Sequence, residues 1–138
     1  MNKLYLSCLL LSACTSNIEL DSVDYETLFN DGNSKVWTIN KVVYNDAIIS
    51  PIRTIDKDLL TFYNDGTCQQ IPMKEIGRTH PKKASYYLNS RGKDILIIFE
   101  KFTAEYNLVY LTEDSILLEP TPDSETQFTM QLVPFQKL

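Results

Sequence analysis

The chain has one histidine, one tryptophan, three cysteines and only four glycines in 138 residues. A Ser-His-Asp or Cys-His arrangement needs its histidine beside a nucleophile and an orienting acid. His80, the single candidate, has no such partners at recognisable spacing. A structural or catalytic zinc site needs further His, Cys or carboxylate ligands in pattern, and none is evident. A basic excess is also missing. Thirteen Lys and Arg against eighteen Asp and Glu give a net charge of −5, which leaves no footprint for nucleic acid and no polybasic patch. There is no internal repeat and no low-complexity segment. The first apolar run, Leu4 to Ala13, covers about half of the ~20 residues a membrane-crossing helix needs.

That run nevertheless has the layout of an export signal. Lys3 supplies a positive charge, the apolar stretch follows, and it ends in the small residues Ser12 and Ala13. Leu11-Ser12-Ala13-Cys14 then resembles the lipobox of bacterial lipoproteins. The resemblance implies cleavage between Ala13 and Cys14, with the Cys14 thiol carrying diacylglycerol through a thioether and its amine an acyl chain such as palmitate. One acyl chain binds a membrane only marginally, and two or more anchor it stably. A triacylated Cys14 would therefore hold the protein at a bilayer permanently. Thr15 follows, where an Asp would retain an enteric-type lipoprotein at the inner membrane. The expected location is the cell envelope, lipid-anchored at the outer membrane, with the periplasmic face preferred to the cell surface. The domain plan is a signal peptide at 1–13, a lipidated tether at 14–23 and one β domain at 24–138.

With Cys8 leaving in the signal and Cys14 acylated, Cys68 remains alone. No intramolecular disulfide is then possible, although the compartment would permit one.

Within the domain, residues 24–31 suit a short helix, capped by Asp21 or Ser22 and stopped by Gly32, with Tyr25, Leu28 and Phe29 on one face. Strands follow at 35–44, 47–49, 58–63, 67–73, 84–88, 94–99, 104–111, 116–119 and 125–133. Trp37, Ile39 and Val43 share one parity of the first. Tyr106, Leu108 and Tyr110 share one in a later strand, and Phe128, Met130 and Leu132 one in the last. Asn45-Asp46 and Asn64-Asp65-Gly66 are turn signals. If Tyr63 pairs with Thr67, Phe62 and Cys68 face the same way. The expected fold is all-β, with about eight short antiparallel strands in an up-and-down barrel or sandwich and a short N-terminal helix.

Lys35-Val36-Trp37, then Phe62-Tyr63-Asn64-Asp65-Gly66, then Leu111-Thr112-Glu113-Asp114-Ser115-Ile116 and a long last strand are similar in order to the small lipocalin-like domains of Gram-negative lipoproteins. The resemblance covers roughly residues 33 to 134. It implies a small barrel binding an apolar ligand, with Trp37 structural at the barrel base. The chain departs from true lipocalins at Lys35, where a Gly precedes the Trp by two positions, and its short strands imply a shallow cup.

Each remaining candidate has a plain alternative. His80 lies in a basic loop with Arg78, Lys82 and Lys83. These four residues could attract an anionic group or the acidic face of a partner, or simply be solvated. Cys68 is a possible nucleophile or intermolecular disulfide site, or a buried small hydrophobe. Asp56, Asp58 and Asp65 could be imagined around calcium, but the ligand spacing of a calcium-binding hand is missing. Glu113 with Asp114, and Asp123 with Glu125, could form acid–base pairs, or sit in outward-facing turns. The expected function is non-catalytic and without a cofactor: binding of a small apolar molecule or a glycan fragment in the barrel mouth. The alternative is a structural adaptor lipoprotein of an envelope-spanning complex such as a secretion system. Replacing Cys14 with Ser should abolish lipidation and release the mature domain from membranes; normal membrane retention of that variant would refute the anchor.

Overall fold

The computed structural model describes residues 25–89, 91 and 93–136. Leu11-Ser12-Ala13-Cys14, the expected tether at 14–23 and the expected helix caps Asp21 and Ser22 lie outside the described residues. The chain folds as helix α1 (Tyr25–Asn30) followed by nine strands: β1 (Ser34–Tyr44), β2 (Ala47–Ile48), β3 (Asp58–Tyr63), β4 (Thr67–Pro72), β5 (Lys82–Asn89), β6 (Asp94–Phe99), β7 (Thr103–Leu111), β8 (Ile116–Pro120) and β9 (Thr129–Pro134). Short 3-10 turns at Thr54–Asp56 and Met73–Glu75 break the loops before β3 and after β4.

All pairings are antiparallel, and β3 to β9 follow one another in order around the sheet. β1 closes it. Its first half pairs with β3, Ser34 opposite Tyr63 through Thr38 opposite Leu59. Its second half pairs with β9, Trp37 opposite Pro134 through Val43 opposite Thr129. The result is an eight-stranded up-and-down barrel, with β2 added as a flap against the far end of β1. Closure removes the exposed strand edges that an open sheet would have to protect. Outward positions such as Lys83, Ser85, Asn107, Glu119 and Gln131 are polar and inward ones apolar, the reverse of a barrel that faces lipid.

The turns carry the expected chemistry. Asn45 and Asp46 both have positive φ (49° and 62°), as the two-residue hairpin turn requires. Gly66, at φ 85°, ends the tight turn between β3 and β4, and the Asp65 carboxylate accepts from the Thr67 amide and hydroxyl. Phe62 and Cys68 are opposite in register and both fully buried.

Three sequence expectations change. A bulge between Ile39 and Lys41 shifts the parity of β1, so Val42 rather than Val43 packs against the core. A second bulge, between Leu108 and Tyr110 in β7, turns Tyr110 outward to 40% exposure and brings Leu111 against the core. An extra residue re-phases a strand locally, and alternation alone does not reveal it. Finally, β9 begins at Thr129, not Glu125. Residues 125–128 belong to the loop between β8 and β9, where Ser124 accepts from the Glu105 amide and holds the loop against β7.

Helix α1 has six residues, too few to be stable alone. It persists because it plugs one end of the barrel. Phe29 and Asn30 are buried. Phe29 meets Phe62 edge-on at 5.0 Å, and Phe62 meets Tyr86 in the same way. The Trp37 indole donates to the Phe29 carbonyl at 2.9 Å. Asn30 donates to the Tyr86 hydroxyl, which donates in turn to the Tyr63 carbonyl at 2.7 Å. Lys35 closes the bottom. Its ammonium sits 4.3 Å from the centre of the Trp37 ring, donates to the Glu113 carbonyl and pairs with Asp31 at 3.4 Å. Trp37→Ala should lower unfolding free energy by roughly 3–5 kcal/mol, the range for a buried large aromatic, measured by denaturant titration; an unchanged midpoint would show that the plug does not depend on the indole.

Candidate functional site

The other end of the barrel is not plugged. A cavity of about 490 Å³ opens there. Its inner wall is made by inward residues of successive strands, among them Ile39, Leu60, Ile97, Tyr106 and Met130. A second hollow, of about 230 Å³, continues it past Val42, Pro51 and Asp58. The rim is aromatic. Phe99 and Phe102 stack at 4.6 Å, because the tight turn 100–102 folds Phe102 back onto the end of β6. Tyr44 and Phe128 lie 5.4 Å apart, where the end of β1 meets the β8–β9 loop.

The cavity stays open because the inward positions near this end do not fill it. Gln70 and Lys82 are opposite each other in β4 and β5, in strands whose deeper inward residues are Cys68, Ala84 and Tyr86. Gln70 donates to the Asp58 carboxylate at 2.7 Å. Glu125 and Thr126 descend from the β8–β9 loop into the rim, and the Glu125 carboxylate accepts from the Thr103 amide. The result is an apolar, partly aromatic cup with Gln70, Lys82, Glu125 and Thr126 as its polar groups. Outside Phe99 and Phe102 a groove runs past Pro81, Lys82, Lys83 and Lys101.

Tyr106 stands inside the cup. Burial pushes its hydroxyl up to about 12, opposed by a hydrogen bond with Thr126. Cys68 lies deeper, and burial pushes its thiol up to about 12 as well. A thiol so held is neutral and unreactive, as its fully buried position beside Phe62 requires.

Of the basic residues singled out in the sequence, Lys82 lines the cup and Lys83 the outer groove. Arg78 and His80 are exposed on the loop that leads to them. The imagined calcium carboxylates are separated: Asp65 belongs to the turn at the plugged end, whereas Asp56 and Asp58 lie at the open end. Arg53 at 2.7 Å and Lys74 at 3.3 Å hold Asp56 below the usual carboxylate range, mainly through the Arg53 hydrogen bond. Glu113 and Asp114 are exposed in the β7–β8 turn, and Asp123 is exposed beside Ser124. Among the described residues no three metal-ligating side chains converge, and no helix is long and apolar enough to cross a membrane.

Of the cup residues, Gln70 does not stand out in the sequence, Tyr106 stands out only by its strand parity, and Glu125 only as an acid–base partner of Asp123. A signal was present in Gln70 and Lys82, long polar side chains at inward positions, which mark where a core gives way to an opening. No known protein family matches the chain, and no curated protein is significantly similar to it.

Tyr106 and Cys68 keep their protons in the folded chain at pH values where the unfolded chain has lost them. Their contribution to stability is therefore full below about pH 9 and should fall as pH rises towards about 12. Denaturant midpoints measured across that window should decline, and Tyr106→Phe should make the decline above about pH 10 shallower; an identical slope in the variant would place the tyrosine hydroxyl in water.

Proposed function

We propose that the protein is a lipid-anchored, non-catalytic binding protein of the cell envelope that holds a small apolar molecule in the open end of its barrel. The observation that carries this reading is the apolar cavity of about 490 Å³ on the interior side of the strands, within the ~300–1,000 Å³ typical of small-molecule sites. Ile39, Leu60, Ile97 and Met130 offer a ligand no hydrogen bonds, which favours an apolar body over a glycan. Lys82, Gln70 and Thr126 could meet a polar or anionic head at the rim. Anchoring at the outer membrane is supported by Leu11-Ser12-Ala13-Cys14 and by Thr15, and the periplasmic face by the lack of a block of acids directly after Cys14.

Met130→Trp, which enlarges a side chain in the cup wall, should weaken binding of the neutral probe N-phenyl-1-naphthylamine at least tenfold in a fluorescence titration, with cooperative unfolding retained. Lys82→Glu should weaken an anionic naphthalene sulfonate probe more than the neutral one. A folded Met130→Trp variant with unchanged probe affinity would remove the cup as the binding site.

A further inference from the structure

The two ends of the barrel differ in what their loops expose. The turns at the plugged end are polar: Asp31 to Asn33, Asn64 to Gly66 and Thr112 to Ser115. The loops at the open end carry Ile48, Ile49, Ile52 and Ile55 between β1 and β3, Ile76 between β4 and β5, and Phe102 between β6 and β7. All six are exposed, and Ile52 is 99% so. They come from three connections at that end, between β1 and β3, β4 and β5, and β6 and β7. Exposed apolar residues scattered singly are ordinary, but a set gathered at one end marks an interaction surface.

Charge separates the ends as well. At the plugged end Glu26, Asp31, Asp65, Asp94, Glu113 and Asp114 outnumber Lys35, Arg91 and Lys93. At the open end Arg53 and Lys74 neutralise Asp56. Glu125 and Asp58 are held by the Thr103 amide and Gln70. The exposed Lys41, Arg78, Lys82, Lys83 and Lys101 balance the remaining acids there. In an acidic protein, the open end is the one that can approach an anionic surface without net repulsion.

We propose that the open end docks on the bilayer that holds the lipid anchor, with the loop isoleucines and Phe102 in the headgroup–acyl boundary, so that the cup opens towards the membrane and takes its ligand from it. This rests on Cys14 being lipidated and on the cup being the ligand site. The tether permits the orientation. Helix α1 lies at the plugged end, and the eleven residue-to-residue steps from Cys14 to Tyr25 span about 36–40 Å when extended. A tilted barrel strand of about eight residues rises only roughly 20 Å. The docking is mainly apolar, since the lysines and arginines described at this end are balanced by acids there. A surface that buries apolar loop tips while lysines stay in the headgroup layer suits a lipid boundary.

The test is depth quenching of the lipidated full protein in vesicles of phosphatidylethanolamine and phosphatidylglycerol, with and without brominated acyl chains. One variant carries Ile52→Trp at the open end, and the other Glu113→Trp at the plugged end. Trp37, buried at the plugged end, gives a common background. Brominated lipid should at least halve the added emission of the Ile52→Trp variant and leave that of the Glu113→Trp variant within about a tenth. Ile48→Asp combined with Ile49→Asp should abolish the quenching without changing the unfolding midpoint. Quenching of the Glu113→Trp variant alone, or of neither, would overturn the proposal. So would a photocrosslinker at position 52 that captures protein instead of lipid in native envelopes, the outcome expected of an adaptor. Mass spectrometry of the N-terminal peptide reports lipidation separately, and probe titration of the same vesicles reports the cup, so failure of either premise is distinguishable from failure to dock.

Discussion

The hydrogen bond from the Trp37 indole to the Phe29 carbonyl ties the helix to the barrel and decides which end of the barrel is solid. A six-residue helix has no stability of its own. It is held by that bond, by the edge contact of Phe29 on Phe62, and by the chain of hydrogen bonds from Asn30 through Tyr86 to Tyr63. Among the described residues, every buried side-chain polar atom of this plug has a partner, which a buried network needs in order to stabilise rather than penalise the fold. These large aromatic side chains fill one end, whereas the inward residues at the other leave a cavity.

The open end is therefore a consequence of packing as well as of composition. Cys68, Ala84 and Ala104 are small inward residues that the plug aromatics and the β6 and β8 isoleucines can cover. Farther along the same strands, Gln70 and Lys82 are too polar to be covered, and they leave a cup whose wall is apolar and whose rim is mixed. The β8–β9 loop then supplies Glu125, Thr126 and Phe128 from above, fixed by Ser124. Burial keeps Cys68 and Tyr106 neutral, and among the described residues the carboxylates do not gather into a metal-ligating cluster.

Much of the strand order was readable in advance. β3 and β6 have the expected bounds, and the Asn45-Asp46 and Asn64-Asp65-Gly66 turns lie where their side chains and φ values place them. The facing of Phe62 and Cys68 follows from turn length alone, since a hairpin of known loop length has one register. Val43, Tyr110 and residues 125–128 were misplaced for two physical reasons. A bulge adds a residue without altering local composition. An extended loop that crosses a barrel mouth can carry the same alternation as a strand while bonding to no ladder.

The amino-acid sequence by itself determined the all-β class, the hairpin order and the burial of Trp37, and it carries the resemblance to an export signal and lipobox, because these depend on local composition and on periods of a few residues. Only the tertiary structure decided that the barrel closes through β1 and β9, that α1 seals one end, and that Gln70, Lys82, Tyr106 and Glu125 meet at the other. Those four residues come from four different segments of the chain. Their convergence depends on the register of eight paired strands and two bulges, and no local pattern encodes the sum of those registers.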